Sequence, residues 1–280
     1  MDKNQILQGA SKYIEKFKDR VFVIKYGGSI LDDKEISGSI LDDIICLHEN
    51  QIDVVLVHGG GSAISKLMKA RGKEPEFVGG LRVTDEETAS IVDEALSSVN
   101  AGLVERVISK GVDAVSLVSR EKLTIKGRKK DSAPHGDFVG DVASIDAGHI
   151  DEAIKNHSIS VVSPVGVGED KKPYNINADL AAAEIAGFLS AEKFIMLTNV
   201  KGVMSKKDDD ASLISTLKEK EVHKLIDEGI IDSGMIPKVQ AGILALDKGV
   251  GKVHVISGRI PHSLLEEIFT DKGIGTEIVK

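Results

Sequence analysis

Short runs rich in valine and isoleucine recur along the chain, at Val21–Tyr26, Val54–His58, Ala114–Val118, Ile159–Ser163, Phe194–Thr198 and Val253–Ser257. Helical spacing of apolar residues falls between one run and the next. Runs that stay apolar without alternating belong to strands covered on both faces, and strands joined by helical crossovers are parallel. The pattern therefore predicts an α/β fold on a largely parallel sheet, with ligands at the carboxyl ends of the strands.

Two stretches depart from that rhythm. Ahead of the first strand, Ile6, Leu7, Ala10, Tyr13, Ile14 and Phe17 sit at helical spacing and predict one helix with an apolar face, packed on its own lobe or on a neighbouring subunit. Residues 123–146 mix short β-like pieces with turn residues and read as a hairpin inserted at the sheet edge. A Gly-rich loop after the fourth run divides the chain into an N-terminal helix (1–20), an N-lobe (21–168) and a C-lobe (169–280).

Composition narrows the partners. With 280 residues and 41% hydrophobic content the chain can bury a large core. A formal net charge of -8 argues against nucleic acid and anionic membrane surfaces, both of which reward clustered positive charge. Cys46 is the only cysteine and reads as a small core residue, which fits a reducing, cytoplasmic compartment. No apolar run nears the roughly 18 residues of a membrane span, and Asp2, Glu15 and Asp19 argue against a transit peptide. A small-molecule partner is the expectation.

Four features point to an anion. Lys25 ends the first strand beside Gly27 and Gly28, and the second strand runs through His58 into Gly59, Gly60 and Gly61 ahead of a helix. Consecutive glycines turn backbone N–H groups toward one point, and a helix start adds its positive end. The spacing matches neither the dinucleotide fingerprint nor the P-loop, and His58 lacks a second ligand at metal spacing. Asp179 lies in the first turn of an apolar helix with Asn177 as its N-cap and Asn175 just before, either as a dipole-favoured carboxylate or as an anchor for cations. Lys238 opens another apolar helix after Pro237, where a cation is unfavourable unless an anion binds. Lysines with glycine cradles suit phosphoryl transfer, which needs alignment and charge stabilisation more than covalent help.

The ordered set KYGG, VHGGG, FVGGLRVTDEET, YNINADLAAAEIAG, LTNVKGV, GMIPKVQA and HSLLEEIFTDKGIGT resembles the amino acid kinase family over essentially the whole chain. The resemblance implies a three-layer αβα sandwich with a central, mostly parallel sheet. It also implies transfer of phosphate from ATP, carried with Mg²⁺, to the γ-carboxylate of N-acetyl-L-glutamate. Lys25 and Lys238 would then bind the moving phosphoryl, Asp179 would organise them, and Gly27, Gly28, Gly59 and Gly60 would hold its oxygens through backbone N–H. Arg82, Asn175 and Asn177 would take the substrate's α-carboxylate, a planar guanidinium matching it bidentately. Thr198, Asn199, Val200, Lys201, Lys207, Gly234 and Met235 would surround the nucleotide. The sequence departs from the family where Asn199 replaces an aspartate, Ser233 a glycine, and Gly79 an Asp or Asn. Its two ends resemble the arginine-sensitive members, implying L-arginine bound by Tyr13, His262, Glu267, Gly273 and Gly275, and a homohexamer, a trimer of dimers exchanging N-terminal helices. The alternative is that Glu267 is an exposed helix carboxylate and the helix packs in cis. Other readings are a kinase for another small carboxylate or carbamate, and an arginine-sensing regulatory subunit.

Overall fold

A computed structural model describes residues 2–119, 121–131, 136–206, 209–232 and 234–280. Eight strands form one sheet in the order Thr216–Lys218, Thr276–Val279, Lys252–Ser257, Lys193–Thr198, Val21–Tyr26, Asp53–His58, Ile159–Val162, Ala114–Leu117. Neighbouring strands are parallel except for the contact of Lys252–Ser257 with Thr276–Val279. Alternate side chains leave opposite faces, and both faces are covered. Val23, Val55, Phe194 and Val253 pack under Ala178–Phe188 and Ile236–Asp247. Phe22, Ile24, Leu56 and Ile195 join a core with Lys34–Glu49 and Ser263–Phe269 on the other side. Two interleaved apolar sets explain runs without alternation.

Val21–Tyr26 lies at the centre, with later strands of the N-terminal half on one side and of the C-terminal half on the other. The chain reverses its direction of winding there, so a crevice opens at the carboxyl end of that strand.

The N-terminal region is two helices, Lys3–Gln8 and Ser11–Phe17, not one. Gly9 closes the first by donating its N–H to the Ile6 carbonyl, and fully buried Ala10 turns the chain inward. The break lets Ile6 and Phe17 both reach the core of their own chain.

The inserted hairpin exists, as Ile125–Lys129 and Val139–Ile145, but it does not extend the main sheet. It closes with Val165–Val167 and Pro173–Ile176 into a four-stranded barrel. Closure depends on backbone approach: a Cβ on Gly166 would stand 2.7 Å from the Gly127 Cα. The 168/169 division falls on the turn between two barrel strands, so the barrel spans it. A short hairpin, Phe77–Val78 with Leu81–Arg82, completes the description.

Candidate active site

Lys25, Asp179 and Lys238 come from three elements and meet at one carboxylate. Lys25 is the fifth residue of the central strand, while Asp179 and Lys238 stand in the first turns of Ala178–Phe188 and Ile236–Asp247. Asn177 caps the first helix, its Oδ1 accepting the N–H of Asp179 at 2.8 Å and of Leu180 at 3.2 Å. Lys238 Nζ donates to Asp179 Oδ2 at 3.3 Å. Lys25 Nζ lies 2.9 Å from Oδ1, an ion pair at contact distance. Burial alone would raise the Asp179 carboxyl, but the ammonium groups of Lys25 and Lys238 overcome it and hold it below the usual carboxylate range. Two cations around one anion leave a net positive charge at the sheet's carboxyl edge.

The glycine turns adjoin this cluster. A Cβ on Gly27 would lie 3.2 Å from both the Gly59 Cα and Lys25 Nζ, so the two turns touch through bare backbone. Gly28 has φ +73, a conformation that favours glycine. Gly28 and Gly60 line a cavity of about 220 Å³ with Ser62 and Ala63 of the helix Gly61–Ala70. Gly59 corrects the sequence reading: its N–H donates to the Tyr26 carbonyl at 2.7 Å and is committed to the turn. The strand ends converge so closely that they bond to each other at this point.

Arg82 is buried, and no carboxylate pairs with it among the described residues. Its guanidinium donates to the Gly61 carbonyl at 3.0 Å and the Ser65 hydroxyl at 2.9 Å, and the Phe77 ring covers it at 4.7 Å. Burial pushes its pKa down from the ordinary arginine value. A buried cation held by neutral acceptors suits an anionic ligand. Asn175, on the barrel strand Pro173–Ile176, donates to Thr84 Oγ1 at 3.1 Å, which ties the barrel to the Arg82 hairpin. Asn177 spends its carbonyl oxygen on the helix cap and lies between Asn175 and the lysine cluster in sequence.

Across the central strand a cavity of about 590 Å³ is lined by Thr198, Asn199, Val200, Gly234, Met235 and Lys238, with Gly202, Met204 and Ile230 among the rest. Lys201 belongs to the same loop but not to that wall. Lys207 and Ser233 lie outside the described residues. Lys238 thus faces both the carboxylate cluster and this cavity. Asp179 is taken by two ammonium groups, and among the described residues no three His, Cys, Asp or Glu side chains converge as a metal site. A resident divalent cation does not fit these residues.

The amino acid kinase family model matches residues 20–257. The chain belongs to the amino acid kinase family. Curated relatives match end to end: the acetylglutamate kinase of Aquifex aeolicus is 44% identical over 99% of this chain and 98% of its own length. The acetylglutamate kinase of Syntrophomonas wolfei is 42% identical over 100% and 98%. Among solved structures, N-acetylglutamate synthase from Neisseria gonorrhoeae, complexed with coenzyme A and N-acetyl-glutamate, superposes with a TM-score of 0.86 at 26% identity, covering 100% of this chain and 64% of the synthase. Carbamate kinase from Giardia lamblia bound to AMP-PNP shares the fold, with a TM-score of 0.65 at 17% identity over 93% and 98%. The chain is a kinase of amino-acid biosynthesis.

The C-terminal segment surrounds a buried polar cluster of which the sequence pointed to Glu267, Gly273 and Gly275 but not to its two strand residues. That side chain is 8% exposed, not a surface carboxylate. His254 Nδ1 lies 2.7 Å from Glu267 Oε1, while Oε2 accepts the N–H of Ile274 and Gly275 at 2.7 and 3.2 Å. Gly273 passes the same carboxylate, a Cβ there standing 3.5 Å from Oε1. Lys193 Nζ lies 3.1 Å from His254 Nε2 and 5.3 Å from the Phe17 ring centre, joining the sheet to the N-terminal helices. Tyr13 donates its hydroxyl to Asp271, and His262 Nδ1 lies 2.8 Å from Asp43 Oδ1 on the helix Lys34–Glu49. Lys193 and His254 were missed, yet each is a polar residue inside an apolar strand, the signal that singled out Lys25.

Burial pushes Lys193 down to about 8. Below that pH folded and unfolded chains both carry the proton, so the full penalty, about 3 kcal/mol, is present. As pH rises toward about 10.5 the unfolded chain alone stays protonated and stability is regained. Lys193→Met removes the penalty but leaves His254 Nε2 without its donor, worth about 1 kcal/mol. The expected result is a net gain of about 1–2 kcal/mol at pH 7 that disappears by pH 10. Thermal melts of both chains across that range check it, and an equal or growing gain at pH 10 contradicts it.

Proposed function

We propose that this chain transfers the γ-phosphoryl of ATP to the γ-carboxylate of N-acetyl-L-glutamate, giving N-acetylglutamyl 5-phosphate and ADP in arginine biosynthesis. The observation that carries the reading is the pair of lysines held on opposite oxygens of Asp179, between a glycine cradle and a nucleotide-sized cavity. Lys25 and Lys238 offset the charge on the migrating phosphoryl, and backbone N–H groups of Gly28 and Gly60 face its oxygens. Arg82 receives the substrate's α-carboxylate with Asn175 and the Asn177 amide. A γ-carboxylate is already ionised near neutral pH, so attack in line on the γ-phosphorus requires no general base. The nucleotide brings Mg²⁺ with it as part of the substrate. The relatives' names supply the acyl amino acid.

The same reading extends to regulation. L-arginine binds as inhibitor where the N-terminal helices meet the C-terminal segment, near Tyr13, His262, Glu267, Gly273 and Gly275. The chain works as a cytoplasmic homohexamer in which dimers exchange those helices. In the single chain these helices pack in cis, with Ile6 and Phe17 in its core, so exchange requires a neighbour to take up the same contacts.

One experiment tests both levels. Full-length chain and a chain lacking residues 2–18 are given ATP, Mg²⁺ and a panel of small carboxylates and carbamate, and acyl phosphate is trapped as hydroxamate with and without arginine. N-acetyl-L-glutamate is expected to give the highest kcat/KM, and truncation to abolish both hexamer mass and inhibition. Preference for another acceptor overturns the substrate, and inhibition that survives truncation overturns the arginine site.

A further inference from the structure

A buried relay of side chains ends on the peptide that carries one of the cradle's N–H groups. His58, wholly buried at the end of the strand Asp53–His58, has its Nδ1 2.8 Å from the Gly59 carbonyl oxygen. Its Nε2 lies 3.2 Å from Asn100 Nδ2, on the helix Glu86–Ile108. Asn100 is itself fixed, since Nδ2 also donates to the Val161 carbonyl at 2.8 Å and Oδ1 accepts the Ser116 hydroxyl at 2.7 Å. An amide so oriented presents a donor to the ring, so Nε2 accepts and the proton sits on Nδ1, which donates to Gly59.

The direction of the Gly59 carbonyl decides the direction of the next N–H. In a planar trans peptide the two point opposite ways, so a carbonyl drawn toward the His58 ring turns the Gly60 N–H away from it. Gly60 lines the cavity it shares with Gly28 and is the N-cap of the helix Gly61–Ala70. A glycine peptide can flip at little steric cost, and a flip here would put a carbonyl oxygen where an incoming anion sits. The Gly59 N–H, bound to the Tyr26 carbonyl, anchors one side of the turn only. Leu96, on the same helix as Asn100, closes over Gly60, where a Cβ would meet its Cδ2 at 2.4 Å.

We propose that His58 is a positioning residue: through its Nδ1–H on the Gly59 carbonyl it locks the Gly59–Gly60 peptide with the Gly60 N–H toward the transferring phosphoryl. The role rests on the reading of this cavity as the phosphoryl cradle. Burial pushes His58 down to about 4, so the neutral tautomer persists across the working pH range. Asp179, Lys25 and Lys238 lie around the neighbouring turn, and among the described residues no charged group is hydrogen-bonded to the ring.

Paired variants separate positioning from packing. In His58→Asn the amide nitrogen takes the place of Nδ1 and can still donate to Gly59. In His58→Gln the amide reaches toward Asn100 and leaves Gly59 unbonded. With turnover expressed per folded protein from circular dichroism, kcat is expected to fall about 30-fold in His58→Gln and less than fivefold in His58→Asn. KM for N-acetyl-L-glutamate is expected to stay within twofold in both, because Arg82 is held by Gly61 and Ser65 of the following helix and not by the Gly59–Gly60 peptide. Histidine ¹⁵N NMR of the wild type is expected to show the Nδ1–H tautomer from pH 5 to 9. Equal kcat in the two variants, or an Nε2–H tautomer, overturns the role while wild-type turnover leaves the kinase reading standing. A wild type without turnover on N-acetyl-L-glutamate, but with the Nδ1–H tautomer, removes the cradle reading and the role with it.

Discussion

Methionine in place of Lys25 is expected to lower kcat about 10³-fold, with KM for the acyl amino acid within a few-fold of wild type. The lysine is the penultimate residue of a strand buried from Phe22 onward and holds its ammonium 2.9 Å from a carboxylate that shares a second lysine. At about 4 Å and an effective dielectric near 20, one such cation is worth roughly 4 kcal/mol against unit charge on the phosphoryl, before desolvation. Only the part of that attraction that grows as charge develops appears in kcat. Asp179 keeps Lys238 in the variant, so no buried carboxylate is stranded and the melting temperature is expected to fall by only a few degrees. Single-turnover hydroxamate assays with saturating ATP measure the step. A kcat within tenfold of wild type places the phosphoryl elsewhere.

Lysine in place of Arg82 acts on the other side of the reaction. The expected outcome is a KM for N-acetyl-L-glutamate raised about 100-fold, with kcat and the KM for ATP within a few-fold. The guanidinium is buried against Gly61, Ser65 and Phe77, with no carboxylate partner among the described residues. Burying a cation that way costs stability in the free chain and is repaid when an anion arrives. A lysine places a single point charge where a planar fork stood, and loses the stack under Phe77 as well. Steady-state kinetics separate the two constants, and calorimetry with N-acetyl-L-glutamate alone reads the same loss directly. An unchanged KM assigns the α-carboxylate to another group, with Asn175 next in line.

Much of this was legible in the sequence because burial leaves a trace in composition. Six apolar runs became six consecutive strands of the sheet, from Lys252–Ser257 to the edge strand Ala114–Leu117, and the reason is that both sheet faces are covered. Lys25, Asp179 and Lys238 stood out as charges at the mouths of apolar elements, and the fold gathers all three. The barrel was half legible. Its first hairpin carries turn residues, but Val165–Val167 and Pro173–Ile176 are short, and their pairing depends on Gly127 and Gly166 approaching across the chain. Spacing says nothing about such a contact. Thr216–Lys218, at the sheet edge, and Thr276–Val279, paired between it and Lys252–Ser257, were missed because they are only three and four residues long and carry polar residues. The single N-terminal helix failed because apolar periodicity continues across Gly9 while the backbone does not. His58 was read only as a metal ligand without a partner, since its partners lie 42 residues away on a helix and one bond away in its own turn.

The uninterrupted sheet has a mechanical consequence. Val21–Tyr26 bonds to strands of both halves of the chain, so no flexible joint separates the floor under the Gly28–Gly60 cradle from the floor under the cavity at Thr198 and Lys238. On the function proposed above, access for the two reactants is expected from above, past the Arg82 hairpin and the barrel that Asn175 and Thr84 fasten to it. An enzyme built this way is expected to keep its charges still and to take up any motion in its roof.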